Sequence, residues 1–244
     1  MKVSILFRRY FFLIGLFFSL GSCFDEYNLT TGDVIGNAKP EGVKIIFDRG
    51  DKKFSTVSET NGQYAMHNLE AGTYTVTFEK EGYFSFKEFG FQFIGGPSEA
   101  YLNGPGSLSQ KYTATVNIQS VTKGSNHGIL ITGIYQKNDD VDDPHRLNDF
   151  NIQWFINDQK GVSSTNYKSE FSSTCYDVQD GETFTSGCYL DEDRFGNAST
   201  IYIVGYAKAG GYVYYDWEMG RHVFAISEKP SNEWTYAIPS DFYH

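Results

Sequence analysis

His67-Asn68-Leu69-Glu70 sets an imidazole and a carboxylate at the His-x-x-Glu spacing that supplies two ligands to a catalytic zinc. A working zinc also needs a third protein ligand and a base in a preformed site, and His127, His145, His222 and His244 have no matching context. The pair therefore reads as a strand end and turn in solvent, and no metal site is assigned. Asp139-Asp140-Val141-Asp142-Asp143 concentrates four carboxylates that a curled loop could wrap around Ca²⁺, although a charge run of this kind reads first as a solvated loop. Asp191-Glu192-Asp193-Arg194-Phe195-Gly196 begins like a calcium-binding loop. It then puts Phe195 at the fifth position and Tyr202 at the twelfth, where oxygen ligands are required. No Gly-x-Ser-x-Gly elbow, Walker loop or dinucleotide fingerprint occurs, so no catalytic residue and no cofactor is assigned.

Two further groups of side chains have chemical potential. Aromatic residues make up 17% of the chain, and they are densest in Tyr212-Val213-Tyr214-Tyr215-Asp216-Trp217. On a strand, Tyr212 and Tyr214 share one face and Val213, Tyr215 and Trp217 the other. The second set reads as core, which leaves Tyr212 and Tyr214 as the candidate ligand-binding pair, a flat apolar platform with polar handles suited to sugar rings. Cys175 and Cys188 lack a basic neighbour to lower a thiol pKa, which argues against a nucleophile. In an exported chain they are expected to pair, stabilising by about 3 kcal/mol on the chain-entropy account. The alternative is two buried free thiols.

Export is written at the start of the chain. Lys2, Arg8 and Arg9 precede an apolar run from Tyr10 to Leu20 that is eleven residues long, too short to span a bilayer, which takes about 20 residues as a helix. Basic, apolar and then small residues form the layout of a secretory signal peptide over 1–22. Leu20-Gly21-Ser22-Cys23 resembles the lipobox of bacterial lipoproteins. That resemblance implies cleavage before Cys23, attachment of diacylglycerol to its thiol and acylation of the new amino group, for instance with palmitate. Two or more acyl chains hold a protein on a membrane stably where one holds it marginally. Asp25 and Glu26 fall in a tether, 23–29, and resemble the acidic surface-export signal of lipoproteins in some Gram-negative bacteria.

The signal contains three basic residues and no acid, so its removal moves the formal charge from −10 to −13. A chain this acidic, with no Lys/Arg stripe, is not a nucleic-acid binder. Period-two alternation dominates after residue 23, and Gly, Asn and Asp punctuate strands rich in Val, Ile, Tyr, Phe and Thr, so the mature chain reads as all-β. Asn103-Gly104-Pro105-Gly106-Ser107 looks like a linker (103–109) between two sandwiches, 30–102 and 110–244. In the second, strands are expected at 111–121, 128–135, 150–157, 199–208, 212–217, 222–226 and 234–238. Seven short strands suit an immunoglobulin-like sandwich, although Trp154 precedes both cysteines instead of lying between them.

In the first, Thr60-Asn61-Gly62-Gln63-Tyr64-Ala65-Met66 is followed by Leu69, Gly72 and Tyr74-Thr75-Val76-Thr77-Phe78. Asn-Gly makes a tight turn, Tyr64 and Met66 share a strand face, Leu69 plugs the edge, and Tyr74, Val76 and Phe78 line the core. This order resembles the carboxypeptidase regulatory-like domain, a transthyretin-like sandwich, over roughly 30–102. The resemblance implies a non-catalytic packing or spacing module. The opening Gly32-Asp33-Val34-Ile35-Gly36 departs from the family's usual first strand, so its register is open.

The combined expectation is a non-catalytic lipoprotein of the outer membrane, displayed on the surface of a Gram-negative cell and presenting two β-sandwiches to glycan or protein partners. The alternatives are a surface hydrolase with dispersed carboxylates and a structural subunit of a surface assembly. Cys23→Ala should abolish lipidation, so that mass spectrometry finds no acyl mass on the chain and detergent partitioning moves it out of the membrane fraction. Retention of the variant in membranes would contradict the anchor.

Overall fold

The computed structural model describes residues 30–111, 114–137, 150–176, 178–208 and 213–243, and the fold is all-β with two packed sandwiches. The signal segment, Cys23, the acidic loop 139–143, His145, Tyr212 and His244 lie outside the described residues. Among the described residues no helix is long and apolar enough to cross a membrane.

The first sandwich packs two sheets. One holds β4 (Gln63–Glu70), β1 (Thr31–Lys39) and β7 (Ala100–Ser107), with β1 antiparallel to β4 and parallel to β7. The other runs β3 (Lys53–Val57), β2 (Lys44–Asp48), β5 (Gly72–Glu79), β6 (Phe86–Phe93), antiparallel throughout. The alternation in Tyr74-Thr75-Val76-Thr77-Phe78 resolves as expected, with Tyr74, Val76 and Phe78 buried, and Leu69 and Tyr64 join them in one core. The register left open for β1 is Val34 against Met66 and Gly36 against Tyr64. Gly36 is needed there because a Cβ would stand 2.5 Å from both the Leu102 carbonyl oxygen and the Tyr64 hydroxyl.

The expected linker is corrected in part. Residues 103–107 continue β7, and Leu108 is buried in the first core. A ladder through Gly104-Pro105-Gly106 is possible because β7 is an edge strand and its pairing with β1 is irregular between Gly36 and Ala38. Proline is tolerated at such positions because it need not donate to a neighbour.

The second sandwich sets β11 (Ser169–Cys175), β10 (Phe150–Asn157), β13 (Thr200–Lys208), β16 (Trp234–Ala237) over β12 (Thr183–Tyr189), β9 (Gly128–Gln136), β8 (Thr115–Lys123). That is four strands over three, the count expected, but the membership differs. β11 and β12 were not anticipated: they are edge strands of modest apolar content, and edges bury only part of one face. The segments anticipated at 212–217 and 222–226 supply instead a separate hairpin, β14 (Tyr214–Asp216) and β15 (Arg221–Val223), outside both sheets. Trp154 is fully buried beneath Phe171 and donates its indole N–H to Ser173 Oγ at 2.8 Å. Its ring lies where a Cβ on Gly205, its partner in the ladder, would stand 2.5 Å away. The calcium-like stretch 191–196 is a short helical turn, α1 (Glu192–Phe195), in which Asp191 accepts from the Asp193 N–H as the cap and Phe195 is fully buried.

The expected disulfide is not formed. Cys175, on β11, faces Phe150 in the ladder and Cys188, on β12, faces Ile129; they sit in opposite sheets, both buried in the same core, as free thiols. Burial pushes the Cys175 thiol up to about 11 and the Cys188 thiol up to about 12. Raised values mean almost no thiolate at neutral pH. Alkylation of the folded chain at pH 8 should therefore be negligible at both positions, and alkylation after unfolding without reductant should modify both, read by peptide mass mapping. An unreduced, unfolded chain that takes no label at either position would restore the disulfide.

Candidate functional site

The hairpin β14–β15 is held from two sides. Along β14, Tyr214 and Asp216 face β6 of the first sandwich, while Tyr215 faces the opposite way with His222 beside it. Tyr214 lies between Phe86 (ring centroids 5.4 Å) and Phe89 (6.4 Å). On a regular strand residues three apart point to opposite faces. β6 carries an extra residue between Glu88 and Phe91 relative to β5, and this bulge lets Phe86 and Phe89 meet one ring. Burial, and then the Asp216 charge, hold the Tyr214 hydroxyl above its usual range.

Asp216 is completely buried and shapes the loop that follows. Its Oδ1 accepts the Glu218 and Met219 backbone N–H groups at 3.0 Å each, its carbonyl accepts the Gly220 N–H at 2.7 Å, and Gly220 takes the positive φ (66°) that closes the turn. Its Oδ2 lies 3.6 Å from Lys87 Nζ on β6, and the same ammonium is 3.8 Å from Glu218. A charge taken out of water must be paired or it is expensive. The Lys87–Asp216 pair is thus a polar pin beside the aromatic seam.

The other side of the hairpin is tied to the second sandwich. Arg221 donates to the Thr165 carbonyl at 2.9 Å, and His222 Nδ1 lies 2.9 Å from Glu170 Oε1. Tyr215 contacts Trp217 (4.7 Å) and His222 (5.3 Å) edge-on, His222 contacts Phe224, and Phe224 packs on Phe155 at 5.7 Å. A row of rings runs from solvent to a small core of Phe155, Val162, Val204 and Tyr206, against which Tyr167 and Phe224 pack. At its outer end Trp217 is 74% exposed, Met219 54%, Val213 40% and Tyr215 38%.

This inverts the expected faces. The set read as core, Val213, Tyr215 and Trp217, is the exposed one, and Tyr214, read as surface, is the ring wedged between the sandwiches. The alternation itself is right, but a period of two does not say which face a second sandwich will cover. An available signal was Trp154-Phe155-Ile156, since three consecutive apolar residues on a strand put large side chains on both faces and call for something packed outside the sheet.

His67 and Glu70 are engaged separately. His67 Nδ1 lies 2.8 Å from Asp33, whose carboxylate is held below its usual range by that bond and by the Asn68 N–H, while Glu70 bridges Lys52 (2.6 Å) and Arg49 (3.1 Å). Among the described residues no three His, Cys, Asp or Glu side chains gather as a metal site. A cleft of about 540 Å³ lies between the hairpin tip and the first sandwich, lined by Asp48, Arg49, Lys53, Thr75, Lys87 and Glu218 among others. Each of its cations already faces a carboxylate: Arg49 Asp51, Lys53 Asp48, and Lys87 Asp216. The cleft has no surplus positive charge with which to hold a phosphate or carboxylate.

No family model matches the chain, and no curated protein sequence does. Among solved structures, a DUF3823 family protein of Bacteroides uniformis is similar over 86% of this chain and 100% of its own, at 12% identity and a TM-score of 0.35. A candidate carbohydrate binding protein of the same species covers 84% and 98%, at 12% identity and a TM-score of 0.29. The major pilin SpaD of Corynebacterium diphtheriae matches over 85% of this chain and 67% of its own, at 13% identity and a TM-score of 0.27. Overlaps this loose transfer no ligand or partner.

Asp216→Ala should destabilise the chain by about 2 kcal/mol, since it removes two turn hydrogen bonds and leaves Lys87 without its buried partner. Asp216→Asn, which keeps the amide oxygen for the turn, should fall between Ala and the parent. Chemical denaturation measures the order, and equal stability of all three chains would remove the pin.

Proposed function

We propose that the chain is a non-catalytic surface lipoprotein, anchored in the outer membrane through Cys23, whose sandwiches serve to hold out the β14–β15 hairpin as a binding element. The observation that carries this reading is where the apolar surface lies. Of the ten large hydrophobic side chains left exposed among the described residues, four fall within 213–219, on one short hairpin. Exposed apolar side chains scattered singly need no explanation, but a contiguous group marks a contact surface.

The support beneath that surface also favours binding. A site is precise when its side chains are locked by neighbours. Tyr214 and Asp216 lock the hairpin to the first sandwich, and Arg221, His222 and Phe224 lock it to the second. A partner approaching it meets rings already in place, so little ordering entropy opposes binding.

An epitope-tagged chain on intact cells should be digested by an added protease that does not cross the outer membrane, and the purified chain should turn over none of a panel of glycoside, ester and peptide substrates. Protection of the tag until the cells are lysed would place the chain inside. Turnover that Glu170→Gln removes would make it a hydrolase.

A further inference from the structure

Resting on that reading, we infer that the exposed end of the hairpin is a subsite for a neutral oligosaccharide, with Trp217 as the stacking face, Tyr215 as its edge-on support and His222 as the polar handle.

Three observations select this occupant. The first is size. Specific protein interfaces bury about 800 Å² per partner, whereas an aromatic side chain offers about 150–250 Å² when wholly covered. Trp217 and Tyr215, at 74% and 38% exposure, with Met219 and Val213 at 54% and 40%, expose only part of four side chains, an area nearer to one or two sugar rings than to a protein interface. The second is charge. Around the patch the carboxylates of Glu170, Asp216 and Glu218 outnumber the cations Lys87 and Arg221, and the whole chain carries a formal charge of −10. A uronate or sulfated glycan would meet that surplus of negative charge, and an uncharged one does not. The third is the imidazole. Glu170 Oε1 faces His222 Nδ1 at 2.9 Å, so in the neutral ring the proton sits on Nδ1 and Nε2 is the acceptor, on the far side of a side chain that is 48% exposed. Saccharides combine C–H faces that stack on indole with O–H groups that donate to such an acceptor. Glu170 is then a positioning residue, since it sets the tautomer and orientation of His222 without meeting the ligand.

The chain provides its own optical probe. It has three tryptophans, of which Trp154 is fully buried and Trp234 half-buried, so collisional quenching by acrylamide acts mainly on Trp217. The full-length chain in a sugar-free polyoxyethylene detergent would be titrated with gluco-, xylo- and manno-hexaoses, with polygalacturonate as the acidic comparison, by calorimetry and by acrylamide quenching. At least one neutral hexaose should bind and shield the tryptophan fluorescence, and polygalacturonate should not. Trp217→Ala should weaken calorimetric binding by about tenfold or more, as loss of a central aromatic anchor does, with unchanged thermal unfolding because the ring is exposed. His222→Ala should weaken it less, and Trp217→Phe, which keeps a stacking face, should restore part of it. Absence of binding by every neutral hexaose, binding confined to polygalacturonate, or binding indifferent to Trp217→Ala would each overturn the subsite. A protein partner captured by a photo-crosslinker at 217, with no hexaose bound, would also overturn it while leaving the hairpin's role as a binding element standing.

Discussion

The outward face of the β11–β10–β13–β16 sheet cannot be left to solvent. Phe155, Val204 and Tyr206 project from it, and exposing three side chains of that size would forfeit roughly 1.5–3 kcal/mol for each aliphatic or aromatic group. The chain covers them with Val162 and Tyr167 from one side and Phe224 and Ile226 from the other. Phe224 follows directly on β15, so covering the sheet fixes the base of the hairpin, and the position of everything on the hairpin depends on it.

From that base the hairpin extends to β6 of the first sandwich, where its alternation splits it into two working faces. One face closes a seam: Tyr214 between Phe86 and Phe89, and Asp216 beside Lys87. The other faces away, with Tyr215, Trp217 and His222 in edge contact. The seam is strong where it is least exposed. Ring separations of 5.4 Å for the edge-on Phe86 pair and 6.4 Å for the tilted Phe89 pair are in the range where aromatic pairs attract, and the buried carboxylate needs both its turn hydrogen bonds and its lysine. The bulge in β6 is the small irregularity that makes the fit possible, because without it Phe86 and Phe89 would point to opposite faces.

The two faces differ in what they leave to solvent. Among the described residues most aromatic side chains pack in the three cores and the seam, and Tyr101, Tyr176 and Tyr189 stand exposed singly elsewhere. The hairpin tip is where two rings, Tyr215 and Trp217, stand together in water. Beneath them Phe224 packs on Phe155, Glu170 faces His222, and Asp216 holds the backbone of the turn that follows β14.

Some of this was legible in the residues alone. The period-two pattern determined the fold class and, in the first sandwich, the core: Tyr74, Val76 and Phe78 alternate so cleanly with threonines that only one face can be buried. The same pattern determined which hairpin residues share a face. What only the tertiary structure decided was which face is covered, because Tyr214 is half-buried by Phe86 and Phe89 from another sandwich more than a hundred residues away in sequence. The fate of Cys175 and Cys188 was likewise a matter of geometry: strands assigned to opposite sheets hold the two thiols in one core without bonding them. The strand through Gly104-Pro105-Gly106 became possible only because it lies at an edge, a property that belongs to the sheet and not to the segment.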